Sequence, residues 1–201
     1  ETAGRDRMVW RYDPVLFNER YPAEYHFRAF EAIAEGICGC TDKVVISFLD
    51  CYGKTKRNMR GIPLELPDEE TMKRTGERFV KTAEKYGMTV ESCAETVDLS
   101  EVGVRHGSCV DPAMIERILG VPVRVKKDKN QRPECGCVES VETGAYDTCL
   151  CGCKYCYAND SEGAVMRRRE EYDVDSPLLC GRVEEEDRIT VRRTSRILTG
   201  E

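Results

Sequence analysis

Short apolar segments alternate with helix-like segments through the first two-thirds of the chain. The run 44–49 is six residues long, rich in β-branched side chains and almost continuously apolar, as expected for a strand that is covered on both faces. Helical periodicity precedes this run in 22–37 and follows it in 68–87, and another strand-like segment, 88–94, comes next. His26, on the first of these helices, is expected at the surface, and the helical period places a set of apolar residues on one face: Ala29, Phe30, Ile33, Ala34 and Ile37. Strand, helix and strand in this order need crossover connections, so the pattern predicts a parallel sheet.

Residues that favour the ends of helices and strands support this division. Pro14 is expected to end the first strand, because proline cannot donate a ladder hydrogen bond. Asp68 is a good N-cap for the helix that follows it. Asp111, Pro112 and Gly120 stand where the cap, the first turn and the end of a further helix require them.

We therefore predict an α/β fold: a partial TIM-barrel-like parallel sheet with crossover helices, followed by a C-terminal cysteine-rich metal-binding segment. The predicted boundaries are a partial barrel over 1–130, the cysteine-rich segment over 131–165, and a charged tail over 166–201 that packs on the barrel or trails from it. No run of 18 or more apolar residues is present, so no membrane span is expected.

Four of the twelve cysteines lie within eight residues: Cys149, Cys151, Cys153 and Cys156. Thiolates at such separations converge when the backbone loops, as a soft metal or an iron–sulfur cluster requires. Cys149, Cys153 and Cys156 form a Cys-x3-Cys-x2-Cys set, the pattern that leaves one iron of a 4Fe–4S cluster open to S-adenosylmethionine. Tyr155 is expected beside the adenine of that cofactor, and Cys151 is expected to point away from the ligands.

A closed zinc site is the alternative for this loop, with Cys151 or the Cys135–Cys137 pair completing four thiolates. A disulfide framework belongs to small secreted chains. With twelve cysteines and no apolar leader, this chain is instead expected in the reducing cytoplasm.

A second metal site is predicted from four cysteines that are distant in sequence: Cys93, Cys109, Cys135 and Cys137. The glycine between Cys135 and Cys137 lets the backbone turn tightly around an ion. The alternative is that Cys93 and Cys109 are small buried side chains without ligands.

Two acidic residues, Asp13 and Glu95, lie at predicted strand ends, where parallel α/β proteins collect their chemistry. We regard both as weak catalytic candidates, because loop acids commonly cap helices or pair with arginine. Lys54 and its basic neighbours follow in a predicted loop.

Seven segments recur in order in the bacterial domain-of-unknown-function family 1848: 9–14, 45–50, 54–58, 126–132, 135–140, 149–159 and 176–179. The chain resembles this family over nearly its whole length. The resemblance implies a barrel-like α/β fold with a late cysteine motif. It also implies that a missing N-terminal segment completes the barrel, since members are longer there. The motif over 153–158 is similar to that of radical enzymes related to spore photoproduct lyase.

These patterns predict a 4Fe–4S protein, a radical S-adenosylmethionine-type enzyme acting on an unknown substrate. One alternative is a non-catalytic zinc or iron–sulfur structural module. Another is an enzyme of nucleic-acid repair or modification, similar to spore photoproduct lyase. The formal net charge of −6 argues against general nucleic-acid binding.

Overall fold

The computed structural model describes residues 4–51 and 53–191, which divide into two compact units. Within that description, the first unit runs from 4 to 140 but omits 50–62. The second unit consists of 50–62 and 141–191. None of the helices in the described part of the chain has the length and apolar character needed to cross a membrane.

The first unit is built on one sheet of four strands: β1 (Trp10–Val15), β2 (Lys43–Phe48), β3 (Thr89–Ser92) and β4 (Arg105–His106). The strands lie in chain order, and every neighbouring pair is parallel. The predicted α/β class and parallel sheet are therefore confirmed, while closure into a barrel remains a prediction. Parallel pairing puts the carboxyl ends of all four strands at one edge, and this edge positions the first candidate site.

Five α-helices are described: α1 (Ala23–Gly36), α2 (Gly53–Asn58), α3 (Glu69–Lys85), α4 (Pro112–Leu119) and α5 (Glu162–Glu170). The predicted caps are confirmed, since the carboxylates of Asp68 and Asp111 accept from the backbone N–H groups of Thr71 and Ala113 at 2.8 and 2.9 Å. Two short 3-10 helices, Arg5–Arg7 and Ser100–Val102, complete the described helical segments.

The core of the first unit lies between the sheet and the pair α1 and α3. Phe30 of α1 and Phe79 of α3 stack with ring centroids 4.2 Å apart, and the Tyr12 ring of β1 meets both rings edge-on. Val44 and Ile46 of β2 are fully buried in the same cluster. Burial of each such side chain contributes about 1.5–3 kcal/mol, so these contacts fix the sheet beneath the helices.

Two local expectations were wrong. β1 does not end before Pro14; it continues through a cis Asp13–Pro14 peptide, and its register with β2 shifts between Tyr12 and Val15. The basic segment containing Lys54 is the helix α2, not a loop. Residues 166–170, the first of the predicted charged tail, lie in α5, which Ser161 caps by accepting from the Ala164 N–H; the predicted boundary of the tail remains a prediction.

His26 is the clearest correction, because it was expected on the surface and is 6% exposed. It lies one helical turn before Phe30, on the buried face of α1. Its Nε2 is 2.8 Å from the Leu16 carbonyl oxygen, so Nε2 carries the proton and donates to it. Its Nδ1 therefore accepts from the Tyr12 hydroxyl at 2.9 Å.

Burial lowers the pKa of His26, which makes the folded protein less stable in mild acid. The unfolded chain binds the proton on His26 more readily than the folded protein does. The stability that depends on neutral His26 is therefore fully present above about pH 6.5 and is lost as the pH falls toward the lower folded-state pKa. We expect His26→Gln to weaken the fall in unfolding free energy between about pH 7.5 and about pH 5.5, measured by urea titration. His106→Gln, at an exposed position, is the control and should behave like the unsubstituted protein. Identical pH profiles for both variants would contradict this role of His26.

Candidate functional site

The first candidate site is a group of four thiols at the carboxyl edge of the sheet in the first unit. Cys93 directly follows β3, and Cys109 lies in the turn between β4 and α4. Their sulfur atoms are 3.1 Å apart. Cys135 and Cys137 come from the later loop, and both are buried with Ala94 in a small cluster that also contacts Cys93. The predicted second set is thus brought together in space.

Backbone hydrogen bonds to sulfur bind this group together. The Cys137 sulfur accepts from the N–H groups of Cys109 and Val110 at 3.2 and 3.4 Å. The Cys135 sulfur accepts from the Cys137 N–H at 3.5 Å, which is the geometry of a tight turn around the thiols. Burial raises the pKa of Cys137, and the hydrogen bonds from the Val110 and Cys109 N–H groups oppose this rise.

The turn between Cys135 and Cys137 approaches the backbone after β4 very closely. A Cβ atom on Gly136 would lie 3.0 Å from the Gly107 carbonyl oxygen and 3.3 Å from Ser108 Cβ. Glycine is needed here for close packing. The Val138 N–H also donates to the Val110 carbonyl at 3.2 Å, which holds the later loop in register with the turn.

Arg11 and the Cys93 thiol give Cys109 the character of a thiolate. The hydrogen bond from Cys93, and then the guanidinium of Arg11 at 3.0 Å, lower the pKa of Cys109 to about 5. The same hydrogen bond, with burial, raises the pKa of Cys93 well above its ordinary range. The contact thus favours the thiolate form at Cys109 and the protonated form at Cys93.

Asp13 and Glu95, the weak catalytic candidates, both belong to hydrogen-bond networks in the first unit. The Asp13 carboxylate pairs with Arg11 and accepts from the Ser47 hydroxyl. Glu95 accepts from the Phe48 N–H at 2.7 Å, just where β2 ends. These contacts give both acids a structural role at the strand ends, and a catalytic role for either remains a prediction.

The second candidate site is the cysteine-rich loop of the second unit. Cys149, Cys153 and Cys156 line one cavity of about 600 Å³, together with residues of the following helix. Cys149 and Cys153 are exposed, whereas Cys156 is partly buried. The three predicted ligands thus line a common cavity.

Asn159 organises this loop, although the sequence analysis did not single it out. Its side-chain Nδ2 donates to the Cys149 carbonyl at 2.6 Å, and its backbone N–H donates to the Cys156 sulfur at 3.3 Å. Asn159 lines the same cavity, and its Oδ1 is the one buried side-chain N or O atom without a hydrogen-bond partner among the described residues. An unpaired buried acceptor is costly unless a ligand donates to it.

Cys151 does not point away from its neighbours as expected. Its backbone N–H and its thiol both hydrogen-bond to Cys149, and these bonds lower the pKa of Cys149. Cys151 is nevertheless absent from the described lining of the cavity that Cys149, Cys153 and Cys156 share. Its assignment as a non-ligand stays a prediction.

Contacts from 50–62 support the loop within the second unit. The Tyr155 hydroxyl donates to the Asp50 carbonyl at 3.1 Å, and Tyr155 is not part of the described cavity lining. Lys54 and Arg57 of α2 pair with Asp160 at 3.4 and 3.5 Å. The sequence signal for this contact is an acid directly after the cysteine motif, Asp160, and two basic residues three positions apart, Lys54 and Arg57.

Within residues 4–51 and 53–191, no group of three or more His, Cys, Asp or Glu side chains is already arranged to hold a metal ion. Metal binding by either set of thiols therefore rests on the chemistry of the donors and stays a prediction.

The family described as Domain of unknown function (DUF1848) matches residues 1–158. The chain belongs to this family. Neither a curated protein nor a solved structure matched it. The predicted DUF1848 membership is confirmed, and the likeness of the loop to radical enzymes remains a prediction. Every ligand and acid predicted from the sequence lies within the part that DUF1848 covers, whereas Asn159 and α5 lie just beyond it.

We expect Gly136→Ala to destabilise the first unit by roughly 1–3 kcal/mol, because the added methyl group would press on the Gly107 carbonyl and the backbone must shift. Urea unfolding followed by circular dichroism measures this change. Gly36→Ala is the matched control, since a Cβ there meets no atom within 4 Å and alanine favours the helix. Equal stability of both variants would contradict the close approach.

Proposed function

We propose that this DUF1848 chain is an iron–sulfur protein in which Cys149, Cys153 and Cys156 hold a 4Fe–4S cluster, and that it acts as a radical S-adenosylmethionine-type enzyme. The observation that carries the proposal is the cavity that these three thiols share. Three protein thiolates leave one iron of such a cluster without a protein ligand. The substrate is not identified by the residues present.

The donor set fits a cluster in chemical terms. N–H groups donate to the sulfurs of Cys149 and Cys156, and such bonds stabilise thiolates and tune the potential of iron–sulfur centres. When bound, a cluster of this kind supplies an electron for the reductive cleavage of S-adenosylmethionine. The contribution of the chain itself is to position the cofactors and to limit access of water.

The cavity also carries charges that suit an amino-acid cofactor. Lys154 and Arg169 line it with positive charge, and Glu162 lines it with negative charge. S-adenosylmethionine presents a carboxylate and an amino group, so both signs have a partner there. The unpaired Asn159 Oδ1 is suited to accept an N–H from such a ligand. Tyr155 supports the loop through Asp50, and its expected place beside adenine remains part of the proposal.

A closed structural zinc site is the second candidate for the same loop. It is favoured by the contact between the Cys149 and Cys151 thiols, because four thiolates that include Cys151 would enclose a single ion. Nucleic-acid binding through the basic residues of α2 has no such support, since Lys54 and Arg57 already pair with Asp160.

The test is metal and acid-labile sulfide analysis of protein purified without oxygen. We expect about four irons and four sulfides bound to the loop. Cys153→Ser should lose this iron, because it removes one of the three ligands. Cys40→Ser, at an exposed cysteine in the first unit, is the matched control and should keep it. Stoichiometric zinc at the loop without sulfide would replace the proposal with the structural site.

We expect Cys151→Ser to keep the loop iron, because Cys151 does not line the cavity of the other three thiols. The same analysis of iron and sulfide measures this. Iron loss equal to that of Cys153→Ser would mean that Cys151 is a ligand, and would favour the closed site.

A further inference from the structure

We propose that Cys93, Cys109, Cys135 and Cys137 hold a single thiophilic divalent cation of the zinc class. This centre uses residues of the first unit only, so it goes beyond the proposed function and does not depend on it.

Contacts between the side chains support a common ion. The Cys93 and Cys109 sulfurs are 3.1 Å apart, and Cys135 and Cys137 are buried against Cys93 and Ala94. In a tetrahedral zinc site with metal–sulfur bonds of about 2.3 Å, neighbouring sulfurs stand ~3.8 Å apart. Opening the touching pair by about 0.7 Å would therefore admit the ion. A cube of four irons and four sulfides would need the sulfurs much farther apart.

Hydrogen bonds around the sulfurs match those of metal-bound thiolates. Cys137 accepts from two backbone N–H groups, Cys135 accepts from one, and Cys109 accepts from the Arg11 guanidinium at 3.0 Å. A metal-bound thiolate needs such outer donors, whereas a disulfide sulfur accepts hydrogen bonds poorly. Four thiolates with a divalent cation keep two negative charges, and Arg11 offsets part of them.

The segment 121–140 has few apolar contacts that could hold it against the sheet. Residues 121–140, all of them described, form neither a helix nor a strand of the sheet, yet four of their side chains are buried: Asp128, Cys135, Cys137 and Val138. The apolar cluster around the thiols is small, with Ala94 and Val110 as its partners besides the cysteines. A bound ion would tie this segment to the ends of β3 and β4 with the energy that the cluster lacks.

The ion is tested in the full chain with Cys149, Cys153 and Cys156 all changed to Ala, so that the loop cannot contribute metal. We expect this variant to retain one equivalent of zinc and no acid-labile sulfide. Cobalt exchanged into it should give the thiolate charge-transfer absorption of a tetrahedral four-sulfur site. Adding Cys135→Ser should remove the zinc, and adding Cys40→Ser should not.

Cys93→Ala provides a second variant that does not open the buried cluster, because Cys93 is only partly buried. Its circular dichroism should be retained while zinc is lost and the cobalt absorption weakens. The proposal is overturned by a Cys93–Cys109 disulfide in metal-free protein, by iron and sulfide in the loop-deficient variant, or by full zinc after Cys135→Ser. Zinc in the loop-deficient variant together with absence of iron from the unsubstituted protein would overturn the proposed function alone.

Discussion

Parallel pairing of four strands in chain order is the constraint on which the first unit depends. It requires every connection to return to the same end of the sheet, and α1 and α3 make two of these returns while covering the core. The carboxyl ends then meet at one edge, where Asp13, Ser47 and Cys93 follow one another across the strands. The buried β2 makes this arrangement stable, because both of its faces are covered.

The turn after β4 is held in place from both sides. Asp111 caps α4 and also pairs with the buried Lys43 of β2 at 2.8 Å, while Lys43 pairs with Glu91 of β3 at 3.1 Å. These bonds hold Asp111 in place, and with it the turn that contains Cys109. The Cys135–Cys137 turn packs closely on Gly107, because Gly136 has no side chain to keep the two backbones apart. Four thiols from distant segments therefore lie together at the edge of the sheet. The loop of the second unit differs, because its thiols are mostly exposed and open onto a cavity.

Much of this arrangement follows from local sequence signals. The apolar run in β2, the caps Asp68 and Asp111, and the spacing of Cys149, Cys153 and Cys156 each act over a few residues, so the chain itself reveals them. The face of α1 was misjudged, because Ile33 is 40% exposed while His26 is buried. From the helical period and hydrophobicity alone, isoleucine is expected to be buried before histidine. Burial of His26 is favourable because both ring nitrogens have hydrogen-bond partners, Tyr12 and Leu16.

Other features depend on tertiary contacts that no local pattern encodes. β4 is two residues long, too short to show alternation. α2 is strongly basic and has no apolar residues, so its sequence shows no apolar periodicity that would predict a helix. In the fold, Lys54 and Arg57 of α2 pair with Asp160. The meeting of Cys93 with Cys135 joins positions more than forty residues apart, and spacing could only suggest it. The predicted boundaries at 130 and 165 remain a prediction.

Electron paramagnetic resonance of the reduced, anaerobically reconstituted protein tests the central claim for the loop most directly. The account predicts the signal of a reduced 4Fe–4S cluster, with a shape that changes when S-adenosylmethionine is added, because one iron has no protein ligand. A cluster signal that ignores S-adenosylmethionine would contradict the open site. Protein that reconstitutes with zinc and gives no iron–sulfur signal would contradict the cluster itself.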